Sequence, residues 1–219
     1  MDISIASSLK KMWPQAALGI LEYEADVVKS SDELLDVFEG AIEKLSDEYC
    51  MDDIAKLPHV EATRKAYKTL GKNPSEYRNA AEAMLRRVVK SSGLYHINNI
   101  VEVNNLISIS SGYSIGSYDL DEVKGHVVYD RAEEDLHYAG IGKSSVNIGF
   151  IPTLHDDEGA FGNATSDSQR AMIKEGHRRI ASILYSFDGT EGLTEWMDEF
   201  EADLKKYCGV GDVTKSIVE

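Results

Sequence analysis

Two cysteines and four prolines are all that the 219 residues contain, and basic side chains are outnumbered by acidic ones, 23 to 38. Cys50 and Cys208 stand far apart with no CxxC and no nearby histidine, which excludes a disulfide framework and argues against a zinc site. Both thiols read as reduced and structural. The six histidines show no HxxxH or HxH spacing, so no metal or other cofactor is expected. No apolar run approaches the ~18 residues of a membrane span, and the opening segment lacks an apolar stretch with a cleavage site. These absences predict a cytoplasmic protein with no membrane partner. The net charge of -15 disfavours non-specific binding to nucleic acid, DNA included, which calls for a basic face.

What is present is an ordinary globular chain, 42% hydrophobic and 8% aromatic, long enough to bury roughly 70% of its unfolded surface. Residues 17–28 alternate as a strand or strand pair. Ser30 to Glu33 reads as a capping box with Ser30 as N-cap, ahead of an amphipathic helix carrying Leu34, Phe38, Ile42 and Leu45. A second helix is expected from Pro58 to Gly71, a third across Pro74 to Gly93, and a fourth over 98–111, closed by Gly112. Gly, Ser, Tyr and Asp dominate 113–125, which predicts an ordered loop or a run of turns. From 126 onward HVVYDRA, EEDLHYAGIG, SVNIGFIPTL and RRIASILYSF read as strands, and 190–208 as a closing helix. No repeat or linker divides the chain, so one α+β domain spanning 1–219 is expected, with helices early and strands mostly late.

Three nearly contiguous segments carry a family resemblance. They are Tyr77-Arg78-Asn79-Ala80-Ala81-Glu82-Ala83-Met84-Leu85-Arg86-Arg87, Tyr95-His96-Ile97-Asn98-Asn99-Ile100-Val101-Glu102-Val103-Asn104-Asn105, and Gly112-Tyr113-Ser114-Ile115-Gly116-Ser117-Tyr118-Asp119-Leu120-Asp121. In order and spacing they resemble the B3/B4 domain of the phenylalanyl-tRNA synthetase β subunit, in a free-standing form with its core match over about 75–190. The family's prolines at 79, 99 and 114 are Asn79, Asn99 and Ser114 here, and its Asp at 102 is Glu102. Ala160 to Ser168 resembles, more weakly, the family's polar turn before its last strands, and no role is transferred to it.

The resemblance implies a three-layer domain with a β-sandwich of unusual topology and flanking helices. It also implies binding of the aminoacylated 3′ end of tRNA, or of a small amino-acid-like ligand, and hydrolysis of mischarged aminoacyl-tRNA in trans. The alternative is a non-catalytic module that binds tRNA, an amino acid or a protein. The full ligase reaction is not expected, because the chain holds no ATP-binding catalytic core. An aminoacyl ester is already activated, so a site needs only to position water and stabilise an oxyanion, without a Ser-His-Asp nucleophile.

Candidate catalytic residues are Arg78 for the ester carbonyl or a terminal oxygen, Glu82 for the substrate ammonium, Asn104 as a neutral donor, and Asp119 to bind an amine or orient water. Tyr77, Asn98, Asn105, Ser108 and Tyr118 are candidate substrate contacts, and Arg86, Arg87 and Lys90 candidate tRNA contacts. Each has a plainer reading. Arg78 and Glu82 stand four apart as a helical ion pair, Asn98 sits where an N-cap belongs, and Tyr118-Asp119 suits an Asx turn. Asn104 and Asn105, adjacent in an apolar helix, call for side-chain partners. His96 is the one histidine in the matching block, a candidate general base. Lys174, Arg178 and Arg179 form a second basic segment that tRNA recognition would need to gather with the first.

Overall fold

In the computed structural model, which describes residues 1–219, the chain runs through β1 (Ile3–Ile5), α1 (Ser7–Met12), β2 (Ala17–Val27), α2 (Asp32–Glu48), α3 (Pro58–Leu70), α4 (Ala80–Val88) and α5 (Asn99–Ser111). It continues through β3 (Ser114–Asp119), β4 (Val127–Arg131), β5 (His137–Gly140), β6 (Lys143–Asn147), β7 (Pro152–Asp156), β8 (Gly159–Asn163), β9 (Gly176–Ser186), α6 (Leu193–Cys208) and β10 (Val213–Val218). One four-stranded sheet has the order β10-β2-β9-β3, a second has β1-β4-β7-β8, and β5-β6 forms a separate hairpin.

The alternation of β2 and β9 builds the layers. Leu18 and Ile20 of β2, with Ile183 and Tyr185 of β9, meet Val127, Tyr129, Leu154 and Phe161 of the second sheet in one buried cluster. The opposite face of the same strands, Leu21, Tyr23, Ile180 and Leu184, packs on Ile100, Val103 and Ile107 of α5 and on Met197, Phe200 and Leu204 of α6. The two faces use residues of opposite parity because strand side chains alternate. The result is an α+β domain of three layers, helices on a sheet on a sheet, with the sheet of β2 and β9 buried on both faces. A β-carbon at Gly19 would lie 2.8 Å from Met197 Sδ, so the bare backbone there lets α6 settle onto β2.

The local signals place most helices well. Gly71 and Gly112 end α3 and α5 at φ +97° and +82°, a region where only glycine is unstrained. Other expectations shift. Ser31, not Ser30, caps α2 by accepting from Leu34 N at 3.2 Å, because the Ser30 hydroxyl turns to the buried Glu102 carboxylate. The helix expected over 74–93 shortens to α4, since Asn79 caps it by accepting from Glu82 N at 2.8 Å.

Residues 113–125 contain strand β3, and the 160–168 segment read as a turn contains most of β8. Small residues there serve close packing. β-Carbons at Gly116 and Gly162 would fall 2.1 and 2.2 Å from the Tyr118 hydroxyl, which lies between the two strands. The terminal elements β1, α1 and β10 are not anticipated from sequence. β10 adds antiparallel to β2, and β1 pairs parallel with β4. No helix is long and apolar enough to cross a membrane. Cys50 is exposed and free, while burial pushes the Cys208 thiol up to about 12.

Candidate functional site

Two adjoining cavities share α4 as a wall. The helix positions its residues by periodicity: Ala80 and Met84 line one cavity, and Ala83, Arg86, Arg87 and Lys90 at its end line the other. The chain segment Thr165-Ser166-Asp167 also borders both, with Thr165 and Ser166 on the second cavity and Asp167 on the first.

The larger cavity, an open groove of about 630 Å³, gathers Arg78, Arg86, Arg87, Lys90 and Lys143 against a single acid, Glu76. In a chain of net charge -15 this is a local reversal of sign. Lys143 comes from β6, far away in sequence. Lys174, Arg178 and Arg179 do not join it: Arg178 lies 3.5 Å from Asp119, and Arg179 lies 3.4 Å from Asp121. Arg87 donates to the carbonyls of Gly93 and Ser92 and lies over the Tyr95 ring at 4.8 Å, contacts that leave its charge uncompensated. Tyr77 also faces the groove, with Lys72 Nζ 3.7 Å from its ring centroid.

Glu82 lies in neither cavity. Its fully buried carboxylate accepts from Arg64 Nη1 at 2.8 and 3.0 Å and from Arg86 Nε at 2.8 Å, while Arg78 Nε stays 3.8 Å away. The expected Arg78–Glu82 pair is thus the loosest of three, and Arg64 is a partner that i, i+4 spacing could not suggest. The carboxylate fixes the guanidinium of Arg86 at the groove wall.

The smaller cavity, about 260 Å³, lies between α4, α5, β3 and residues 167–173, and eight of its thirteen lining residues are hydrophobic. Asn98, Asn104, Asn105 and Ser117 supply its neutral polar groups. Asn98 caps α5 through Oδ1, accepting from Val101 N at 2.9 Å. Asn104 Oδ1 accepts from Ser117 Oγ at 3.0 Å, and its Nδ2 reaches the Ile115 carbonyl at a long 3.4 Å, which ties α5 to β3. Asn105 meets only the Asn104 amide, also at 3.4 Å. The partners that two adjacent helical asparagines call for are therefore one strand and one cavity.

Asp167 is the sole ionisable group on this cavity's wall. Its Oδ1 accepts from the Tyr118 hydroxyl at 2.6 Å and from Asn163 N at 3.3 Å, and its Oδ2 has no protein partner. Burial pushes its carboxyl up to about 7, and the bond from Tyr118 offsets only part of that rise. Tyr118 itself is enclosed in the sandwich, 2.5 Å from the Tyr185 hydroxyl. Its place is behind Asp167, not on the cavity wall.

Three other residues stand apart from both cavities. Asp119 Oδ1 accepts from Asp121 N, two residues on, which is the Asx turn. Ser108 donates to the Tyr113 carbonyl at 2.7 Å and closes the end of α5. His96 lies against Phe38, with Nε2 3.2 Å from Glu39. Lys143 sits in no motif, and Asp167 lies in the weakly matching 160–168 segment to which no role was assigned. The Thr-Ser-Asp-Ser run after a Gly-Asn pair is the one local signal for Asp167. No group of His, Cys, Asp and Glu side chains is arranged to hold a metal ion.

A solved structure similar to this chain is an N-terminal fragment of the phenylalanyl-tRNA synthetase β subunit from Pyrococcus horikoshii, at 13% identity and a TM-score of 0.45. The alignment covers 99% of this chain and 50% of that one, so this chain spans about half the length of the fragment. No curated protein matches it in sequence. The family model of the B3/4 domain matches residues 62–190, more than half of the chain, from within α3 to the loop before α6. The chain belongs to the B3/4 domain family.

Proposed function

We propose that this protein captures the aminoacylated 3′ end of a tRNA and hydrolyses the ester of mischarged species in trans. The observation that carries this reading is the adjacency of a basic groove and a small, mostly apolar cavity across one helix. A single strand tracking Arg78, Arg87, Lys90 and Lys143 with its phosphates would deliver its terminal residue past α4 toward the cavity. At about 260 Å³ the cavity is below the ~300–1,000 Å³ of sites for drug-sized ligands, and suits a single amino acid.

The chemistry is modest. A water oxygen forms a bond to the ester carbonyl carbon, the bond from that carbon to the terminal ribose oxygen breaks, and the ribose oxygen takes a proton from the water. Asn98 and Asn105 keep amide N–H groups with no protein acceptor and are the donors available to a developing oxyanion, while Asn104 directs its own amide N–H groups to the Asn105 side chain and the Ile115 carbonyl. Arg78, 45% exposed in its side chain, and Tyr77 are the groove residues nearest in sequence to the α4 cap, suited to the terminal ribose or phosphate.

The test is deacylation of a panel of radiolabelled correctly and wrongly charged tRNAs by the purified protein, with Arg78→Ala and Asn105→Ala alongside. Release of label from one mischarged species, reduced about 100-fold by loss of an oxyanion donor, is the expected result. Retained tRNA binding with no turnover across the panel would leave a binding module of the same geometry. Absence of both would end the tRNA reading.

A further inference from the structure

The smaller cavity presents one carboxylate to an otherwise neutral wall, and that carboxylate is only half used. Asp167 Oδ1 is locked by Tyr118 and Asn163 N, so the side chain cannot swing away, and Oδ2 is left facing the cavity without a donor. Tyr118 is itself held: Gly116 and Gly162 close around its hydroxyl, and Tyr185 bonds it from behind. No lysine, arginine or histidine lines the cavity. Asp167 is half-buried, and a carboxylate partly withdrawn from water with one oxygen unpaired is favoured by the arrival of a cation or a donor. The rest of the wall, Met84, Val101, Ile115, Met172 and Ile173 among it, is apolar.

We infer that Asp167 is an ammonium-recognition group, and that the cavity selects a ligand carrying a primary amine next to an apolar side chain. The inference rests on the proposed aminoacyl-end reading and deepens it by assigning the amine of the amino acid to Oδ2 and the side chain to the Met84, Ile115 and Ile173 wall. It moves the ammonium contact away from Glu82, whose carboxylate is engaged by Arg64 and Arg86. The titratable groups packed around Asp167 are Tyr118 from β3, Tyr185 from β9 and Tyr138 from β5. Burial raises all three hydroxyls, so they stay neutral donors or acceptors near neutral pH. The carboxyl, poised near neutrality when the cavity is empty, is driven to its ionised form by an incoming cation.

The experiment is titration calorimetry of the intact protein at pH 7, where an α-amino group is mostly ammonium, with matched pairs of small probes. These are phenylalaninamide against 3-phenylpropionamide, and leucinamide against 4-methylpentanamide, which differ only in the amine. The expected result is binding of at least one amide, at least tenfold weaker binding of its desamino partner, and the same loss for the amide in Asp167→Asn. Asn still accepts from Tyr118, so the fold is preserved, and an unchanged thermal transition checks it. Tyr118→Phe, which frees the carboxylate without removing it, is expected to weaken the amide less than Asp167→Asn does. Equal binding within each pair, or an unaltered amide affinity in Asp167→Asn, would overturn the ammonium role and leave the cavity and the tRNA reading standing. Failure of both amides to bind, alongside deacylation of a charged tRNA, would overturn the ammonium role alone. Failure of the amides together with no tRNA binding would remove both.

Discussion

Truncating Glu82 separates an anchor from a ligand contact. Its carboxylate is fully buried and shared by Arg64 and Arg86, each with side chains 23% exposed, while Arg78 is 45% exposed and 3.8 Å away. Glu82→Ala leaves two mostly buried guanidiniums without a counter-charge. Removing one partner of a buried pair costs about 3–5 kcal/mol, and because both guanidiniums keep some contact with water the lower end, about 3 kcal/mol, is expected. For a domain of this size that is a fall in Tm of about 6–12 °C. Arg78→Ala breaks only a loose, exposed pair, worth about 0–1 kcal/mol. Urea and thermal unfolding followed by circular dichroism at pH 7 measure both. A Glu82→Ala loss under about 1 kcal/mol, or an Arg78→Ala loss equal to it, would refute the reasoning and return Glu82 to the candidates for a ligand contact.

Asp167 gives stability a pH signature. Its folded carboxyl is raised from the ordinary 3.8 to about 7, so the folded state holds the proton more tightly than the unfolded one and stability falls as pH rises from about 4 to about 7. Asp167→Asn removes that slope: urea unfolding from pH 4.5 to 8 should show the variant gaining on the wild type through this window and levelling above it, and parallel curves would refute the assignment. Reversing the groove charge with Lys143→Glu should lower the slope of log affinity for tRNA against log salt by about 1 without changing Tm; filter binding across salt concentrations tests it, and an unchanged slope would place the phosphates elsewhere. Gly162→Ala puts a methyl 2.2 Å from the Tyr118 hydroxyl, overpacking that costs about 1–3 kcal/mol; thermal unfolding measures it, and an unshifted transition would show that the hydroxyl moves freely.

The sequence by itself determined α2, α3, α5 and α6, their apolar faces, the N-cap at Asn98 and the glycine stops at 71 and 112, together with the motifs of the family. All of these are settled by contacts within a turn or two of the chain, so they are legible in order along it. The tertiary structure alone decided the rest. β3 and β8 look like turns because Gly and Ser are there to admit the Tyr118 hydroxyl, a contact made between strands. Glu82 has a local partner in Arg78 by spacing, yet folding delivers Arg64 and Arg86 at shorter range. Lys143 joins Arg87 and Lys90, and Asp167 reaches the wall formed by Asn98 to Asn105, because sheet pairing and helix packing close long loops. Such convergence depends on three-dimensional closure, which periodicity and capping do not encode.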